Sequence, residues 1–335
     1  MLVERGHKVT LLTHCCYEAL AHDAGLDFIA WETPEQYSEF IENLNSKIDS
    51  VKSLDALDAF RYKYESIEIR LSEYEKIIRC CEPQSTVIVA KNRSSLSAFL
   101  AAEKLGLPIA CVFMNPLEIH SMVTFNNLFS DKLKSEANLL RSELQLPPVT
   151  SWIDWQSSPK LNIALWPEWF SPVGESWRKP ILTVGFPLPE NKATNQAPII
   201  PEIQKWIDDN EMPILISGGT GKMIKPEFYP VSVEACRLSG KRAILLTRYE
   251  EMVPTNMPSS IQWVKHIPNL SGVMHAMGAI IHHGGIGTLS GAAMAGTPQL
   301  ILGHYVDRPL NGARAKELGI AEYLPPALWE PDILA

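Results

Sequence analysis

The stretch from Ala279 to Gly296, AIIHHGGIGTLSGAAMAG, gathers residue types that can hold an anion. Ala279–Ile281 reads as a buried strand that delivers His282 and His283 to its carboxyl end, where ligands gather in open α/β sheets. Gly284, Gly285 and Gly287 would let the backbone come close to a ligand, and Thr288 is read as the start of a helix. Unpaired N–H groups and the positive end of the helix dipole meet at such a turn, which suits a phosphate or diphosphate. An imidazole beside it could add a further hydrogen bond. The same glycines also fit a turn that is simply tight, and both readings stand at this point. Ser290 lies three residues after Gly287, so the spacing G-x-G-x-x-G is not met, and there is no Walker lysine. Nicotinamide and ATP-loop chemistry are therefore disfavoured.

Such a turn must be placed by a sheet and its helices. In the first half VTLLT, LDFIAW, STVIVA and PIACVF read as strands. Between them lie helical segments such as CYEALAHDAG, ending on Gly25, and SSLSAFLAAEKLG, with a serine cap and a glycine stop. Arg5 and Gly6, ahead of VTLLT, look like the tail of a helix. Alternating strand and helix imply a parallel sheet with helices on both faces. Residues 147–200 differ: they hold five of the nine tryptophans (Trp152, Trp155, Trp166, Trp169 and Trp177) and read as a connecting segment. Alternation then resumes through MPILISGGTG, KRAILLT, IQWVKHIP, AIIHHGG and PQLILG. With 335 residues, two domains are expected, because single cores stop growing near ~250 residues. The boundaries read as 1–185 and 186–335, both α/β.

The composition is 46% apolar with a net charge of −8, which argues against a general nucleic-acid or anionic-membrane binder. The six cysteines, at 15, 16, 80, 81, 111 and 236, match neither a metal motif nor a secreted disulfide framework, so reduced thiols in the cytoplasm are expected. No signal peptide is recognised, and no run approaches the ~18 apolar residues of a membrane span.

HHGGIGT, followed by AGTPQLIL and DRPLNGARAKELGI, closely resembles the donor-site signature of UDP-sugar-dependent glycosyltransferases, the large family that includes glucuronosyltransferases, sterol glucosyltransferases and macrolide or glycopeptide glycosyltransferases. That signature runs roughly H-H-G-G-x-G-T, A-G-x-P, then D-Q-x-x-N-A. LWPEWFSPVGESWRKPILTVGF and PILISGGTGK are similar to the family's interdomain region and to the first strand and loop of its nucleotide-sugar domain. The resemblance implies the GT-B fold, two Rossmann-like domains with parallel sheets facing across a cleft, the acceptor on the first and the nucleotide sugar on the second. By resemblance His283 contacts the diphosphate, Gly284, Gly285, Gly287 and Thr288 form the anion cradle, and Gly219 and Thr220 form the facing loop. Asp307 matches the acidic residue that holds sugar hydroxyls, and Asn311 matches the motif's asparagine. Where the family has glutamine this chain has Arg308, which would favour a carboxylated or otherwise altered donor if its side chain points inward. Trp263 could stack on uracil or simply pack in the core. His120 is the acceptor-side candidate, while His14, His266 and His275 read as structural, surface or capping residues.

The reaction implied is inverting transfer of a hexose to a hydroxyl of a small, hydrophobic or lipid-like acceptor, with UDP as leaving group. A helix N-terminus and a histidine would stabilise that leaving group without a metal or a cofactor. No D-x-D occurs, which counts against the metal-dependent glycosyltransferases of the other common fold. The family's general base lies on the loop after its first strand, and that strand and loop are not found before VTLLT, so the base is expected upstream of Met1. The chain is thus expected to be truncated at both ends, with a catalytically silent nucleotide-sugar-binding protein or a gene fragment as the alternative. A UDP-sugar 2-epimerase-like enzyme is a weaker one. No nucleic-acid partner and no transmembrane segment are expected, and peripheral membrane contact is left open.

Overall fold

The computed structural model describes residues 2–47, 53, 59, 62–92, 95–173, 180–187, 201–208, 211–268 and 270–335. The chain divides into two compact units. One comprises Met1–Phe113, Glu118–Ile163 and Glu175–Leu182, the other Met114–Leu117, Ala164–Gly174 and Thr183–Ala335.

In the first unit β1 (Thr10–Thr13) and β2 (Asp27–Ala30) pair in parallel, with Thr10 opposite Asp27 and Thr13 opposite Ala30. The helix α1 (Glu18–Asp23) connects them, and Gly25, at a φ of +71°, turns the chain into β2. The helical tail expected before Gly6 is a single 3₁₀ turn, Val3–Arg5. Farther along, α2 (Ile67–Arg79) starts at Ser66, whose hydroxyl accepts from the Ile69 amide. The next strands, β3 (Ile88–Lys91), β4 (Ile109–Phe113), β5 (Leu161–Ala164) and β6 (Leu182–Thr183), form a second sheet in that order. Between β3 and β4, α3 (Leu96–Leu105) stops at Gly106 in the left-handed region, as its sequence suggests. Ser95 sits at the cap position, but its side chain makes no capping bond. After β4 comes the long helix α4 (Pro116–Glu143). Among the described residues the first half thus carries two sheets rather than one.

In the second unit β7 (Ile214–Ser217), β8 (Ala243–Leu246), β9 (Ile261–Val264), β10 (Ala279–His282), β11 (Gln299–Ile301) and β12 (Glu322–Tyr323) form one continuous sheet. Its order is β12-β11-β10-β7-β8-β9, and every adjacent pair runs parallel. Successive residues alternate between two cores, as the pleat requires. Ile216, Leu245 and Ile281 pack under α5 (Phe228–Leu238), while Leu215, Ile244 and Ile280 face Ile203, Val273 and Met274. Burying each such side chain contributes about 1.5–3 kcal/mol. A strand covered on both faces reads as an unbroken apolar run, which is why ILIS and AIIH were visible in the sequence.

That strand order also fixes where a ligand can enter. From β7 the chain builds outward through β8 and β9, then returns to lay β10 on β7's other side. The connections leaving β7 and β10 therefore diverge, and a crevice opens beyond their carboxyl ends, where Ser217 stands opposite His282.

Candidate functional site

The β10 end is built from a sequence of fixed hydrogen bonds. The Gln299 carboxamide donates to the Ile320 carbonyl at 3.3 Å, which leaves its Oε1 to face the His282 Nε2 at 3.0 Å. The His282 Nδ1 then accepts from the Gly284 amide at 3.1 Å. His282 is fully buried, and burial pushes its pKa down to about 4, so the ring is neutral at pH 7. It therefore anchors the turn.

His283 is 8% exposed and points the other way, toward the loop after β7. Its ring is hydrogen-bonded to the Ser217 main chain, while Nδ1 has no hydrogen-bond partner. Burial, then the positive charge of Arg308, then His282, hold its pKa well below the ordinary value. An anion placed at Nδ1 would draw a proton onto that nitrogen, because its charge opposes those same effects.

Glycine makes room for this ring. A Cβ at Gly219, where φ is +85°, would lie 2.5 Å from the His283 Cε1, and one at Gly285 would lie 2.5 Å from its Nε2. The missing side chain at Gly285 thus accommodates the imidazole, where the sequence suggested a closer approach to ligand. Gly287 does have open space around it. The helix α6 (Ile286–Ala295) begins two residues before Thr288, with Gly285 as its N-cap, so Thr288 lies inside the first turn. The first amides of α6 and the unpartnered Nδ1 belong to one turn, in the arrangement that binds phosphate.

The facing loop is pinned as well. The Gly218 amide donates to the Tyr229 hydroxyl at 3.2 Å, the Gly219 amide to the Ser217 hydroxyl at 3.3 Å, and the Tyr249 hydroxyl to the Thr220 carbonyl at 3.0 Å. Thr220 itself is exposed.

After β11, Tyr305 and Val306 take φ values of +57° and +50°. For a β-branched residue that is a strained conformation, about 1–3 kcal/mol. It leads directly to Asp307 and Arg308, where α7 (Arg308–Glu317) starts. Asn311 is 1% exposed, and its Nδ2 donates to the Gly284 carbonyl at 3.0 Å and to the Asp307 Oδ2 at 2.8 Å. Asn311 therefore ties α7 to the histidine turn. Arg308 reaches across to donate to the Met223 carbonyl.

Eight of the residues predicted for the donor, Gly219, Thr220, His283, Gly285, Thr288, Asp307, Arg308 and Asn311, thus belong to the three connections at the crevice, as do Gly284 and Gly287. Trp263 does not share these contacts. It lies on β9, three strands or about 14 Å from β10, packs against the core under α5, and donates from Nε1 to the Thr247 carbonyl at 2.9 Å. That is the geometry of its core-packing alternative. His120 is an exposed residue within α4 of the first unit. His14, read as structural, proves to be held by a carboxylate: its Nδ1 lies 3.0 Å from the Glu32 Oε2, and its ring stacks on Phe40. Glu32 and Met223 escaped the sequence reading, and no local pattern marks either one.

Among the described residues no helix is long and apolar enough to cross a membrane, and no cluster of three or more His, Cys, Asp or Glu has metal-holding geometry.

Two parallel α/β units with a crevice of this kind define the class, and comparison with known proteins agrees. The structure matches that of glycosyltransferase VinC in complex with dTDP at a TM-score of 0.67 and 18% identity, covering 99% of this chain and 83% of that one. This is the GT-B fold. In sequence the chain is 24% identical to the NDP-glycosyltransferase YjiC of Bacillus subtilis (strain 168), over 97% of this chain and 79% of the relative. It is also 24% identical to the vancomycin aglycone glucosyltransferase of Amycolatopsis orientalis, over 82% of this chain and 70% of that protein. Residues 240–335 match the C-terminal domain family described as erythromycin biosynthesis protein CIII-like. The chain is thus similar along most of its length to glycosyltransferases, and its C-terminal part to a domain found among them.

Proposed function

We propose that the chain transfers a hexose from UDP to a hydroxyl group of a small hydrophobic acceptor, with inversion at the anomeric carbon. The acceptor oxygen attacks that carbon, the bond to the β-phosphate oxygen breaks, and its electron pair leaves with the nucleoside diphosphate. The acceptor's proton passes to a base. Charge grows on the diphosphate during this step, so donors aimed at it beforehand lower the barrier. The first turn of α6 and the His283 ring supply such donors without a metal.

One observation carries the reading: a buried imidazole with an unpartnered Nδ1 stands beside a helix N-terminus at the switch point of a parallel sheet. Support for the substrate class comes from relatives whose names specify NDP-sugars and a natural-product aglycone. VinC was solved with dTDP, so thymine is the competing base.

Titration calorimetry with UDP and dTDP tests the site. His283→Ala should weaken diphosphate binding by about 1.5–3 kcal/mol, the contribution of a charge-assisted hydrogen bond. A folded protein that binds neither nucleotide, or a variant that binds as well as the parent, would overturn the assignment. Inversion is tested by the coupling constant of the product's anomeric proton, which should report a β-linkage from an α-linked donor.

A further inference from the structure

The arginine that replaces the family's glutamine does point inward. Arg308 opens α7, and from there its guanidinium reaches the Met223 carbonyl in the loop that follows β7. Its Cβ would be 3.3 Å from a Cβ placed at Gly284, so the stem of the side chain runs alongside the histidine turn. The charge at its tip is the second-largest influence on His283, after burial, which places it near the imidazole. The strained Tyr305–Val306 pair leads into this residue, and strain of that kind persists where surrounding structure imposes it.

The guanidinium is held in no ion pair, although the charge of the adjacent Asp307 acts on it. Among the described residues no carboxylate lies within ion-pair distance of it, and its one hydrogen-bond partner is the neutral Met223 carbonyl. Neighbouring cations are occupied, Lys222 by Glu251 at 2.6 Å and Arg314 by Glu317 at 2.7 Å. Asp307, the adjacent acid, accepts instead from Asn311. One N–H of the guanidinium is fixed on Met223, and the rest of its planar fork is able to take a carboxylate in bidentate fashion. A half-buried cation with this geometry is an anion receptor.

Resting on the donor-site reading above, we infer that Arg308 receives an anionic group on the sugar of the donor, so that the site selects a nucleotide-linked uronic acid over a neutral hexose. Two anions of a donor could meet the guanidinium, the sugar carboxylate and the diphosphate itself. A sugar carboxylate fits better, because α6 and His283 already face the diphosphate while Arg308 comes from a separate element beside Asp307, the sugar-side residue of the motif.

Calorimetry with UDP, UDP-glucose and UDP-glucuronate, on the full chain and on Arg308→Gln and Arg308→Lys, separates the cases. The parent should bind UDP-glucuronate at least tenfold more tightly than UDP-glucose. Arg308→Gln should remove that gap, its loss for UDP-glucuronate exceeding its loss for UDP by at least tenfold. Arg308→Lys, which keeps the charge but loses the fork, should retain part of the gap. Thermal melts confirm that each variant is folded. Equal affinity of the parent for both sugars would overturn the inference, as would an Arg308→Gln variant that loses UDP as strongly as UDP-glucuronate, which would mark the diphosphate as the anion. If UDP itself fails to bind the parent, the donor-site reading falls, a result distinct from failure of the sugar assignment.

Discussion

Two parallel strands, one in each unit, lead directly into a histidine. In the second unit β10 leads to His283, whose electrostatic neighbours are cationic or neutral and whose own turn opens a helix N-terminus. In the first unit β1 leads to His14, whose Nδ1 meets the Glu32 carboxylate, which also accepts from the Cys15 amide at 3.0 Å. His283 is buried, whereas the His14 side chain is 40% exposed. A strand's carboxyl end supplies only the position, and the neighbours decide which charge the imidazole can serve. His283 keeps an unpartnered Nδ1, which on the proposed reading takes an incoming anion. His14 already has one.

The largest effect expected from this contrast is on stability against pH. His282 and His283 both titrate below the ordinary histidine value in the folded chain, so the unfolded chain takes up protons first as pH falls. Their contribution is complete above about pH 6.5 and is lost toward pH 4, His282 alone accounting for about 3 kcal/mol. Urea unfolding at pH 7 and pH 4.5 should show the loss, with a smaller difference in His282→Gln. A pH-independent midpoint would contradict the burial argument.

Next comes the space that the ring needs. Gly219→Ala should weaken UDP binding by about 100-fold, since its Cβ collides with His283 and its φ is strained. Gly6→Ala, also at positive φ but with no atom within 4 Å, should lose only about 1 kcal/mol of stability and leave UDP binding intact. Similar effects of the two substitutions on UDP would remove the packing explanation.

A smaller effect is expected from relaxing the loop that leads to Arg308. Val306→Gly should raise stability by about 1 kcal/mol, because glycine accepts the positive φ. A lower melting temperature would show that Val306 is held there by favourable contacts. Smallest of all, His14→Ala should change UDP affinity by less than twofold. A loss as large as that of His283→Ala would erase the distinction between the two histidines.

The second unit was the more legible because its signals are local. AIIHHGGIGT holds strand, turn and helix start within a few residues, so the placement of His283 followed from the pattern, with only the helix start displaced to Ile286. The separate duties of His282 and His283 could not be read, since they depend on Gln299, 17 residues away, and on packing against Gly219. Nor could the direction of Arg308, which depends on a carbonyl 85 residues earlier in the chain. In the first unit the strands were legible one by one, but their division into two sheets is a matter of long-range pairing. His14 looked ordinary because its carboxylate partner stands on the far side of α1 and β2.

The central claim concerns a single ring, and nitrogen-15 NMR of the imidazoles observes it directly. In the free protein at pH 7 the His283 resonances, assigned with His283→Ala, should be those of a neutral ring. Saturating UDP should move them to imidazolium values while His282 and His14 stay in place. A His283 signal that does not respond to bound UDP would contradict the account.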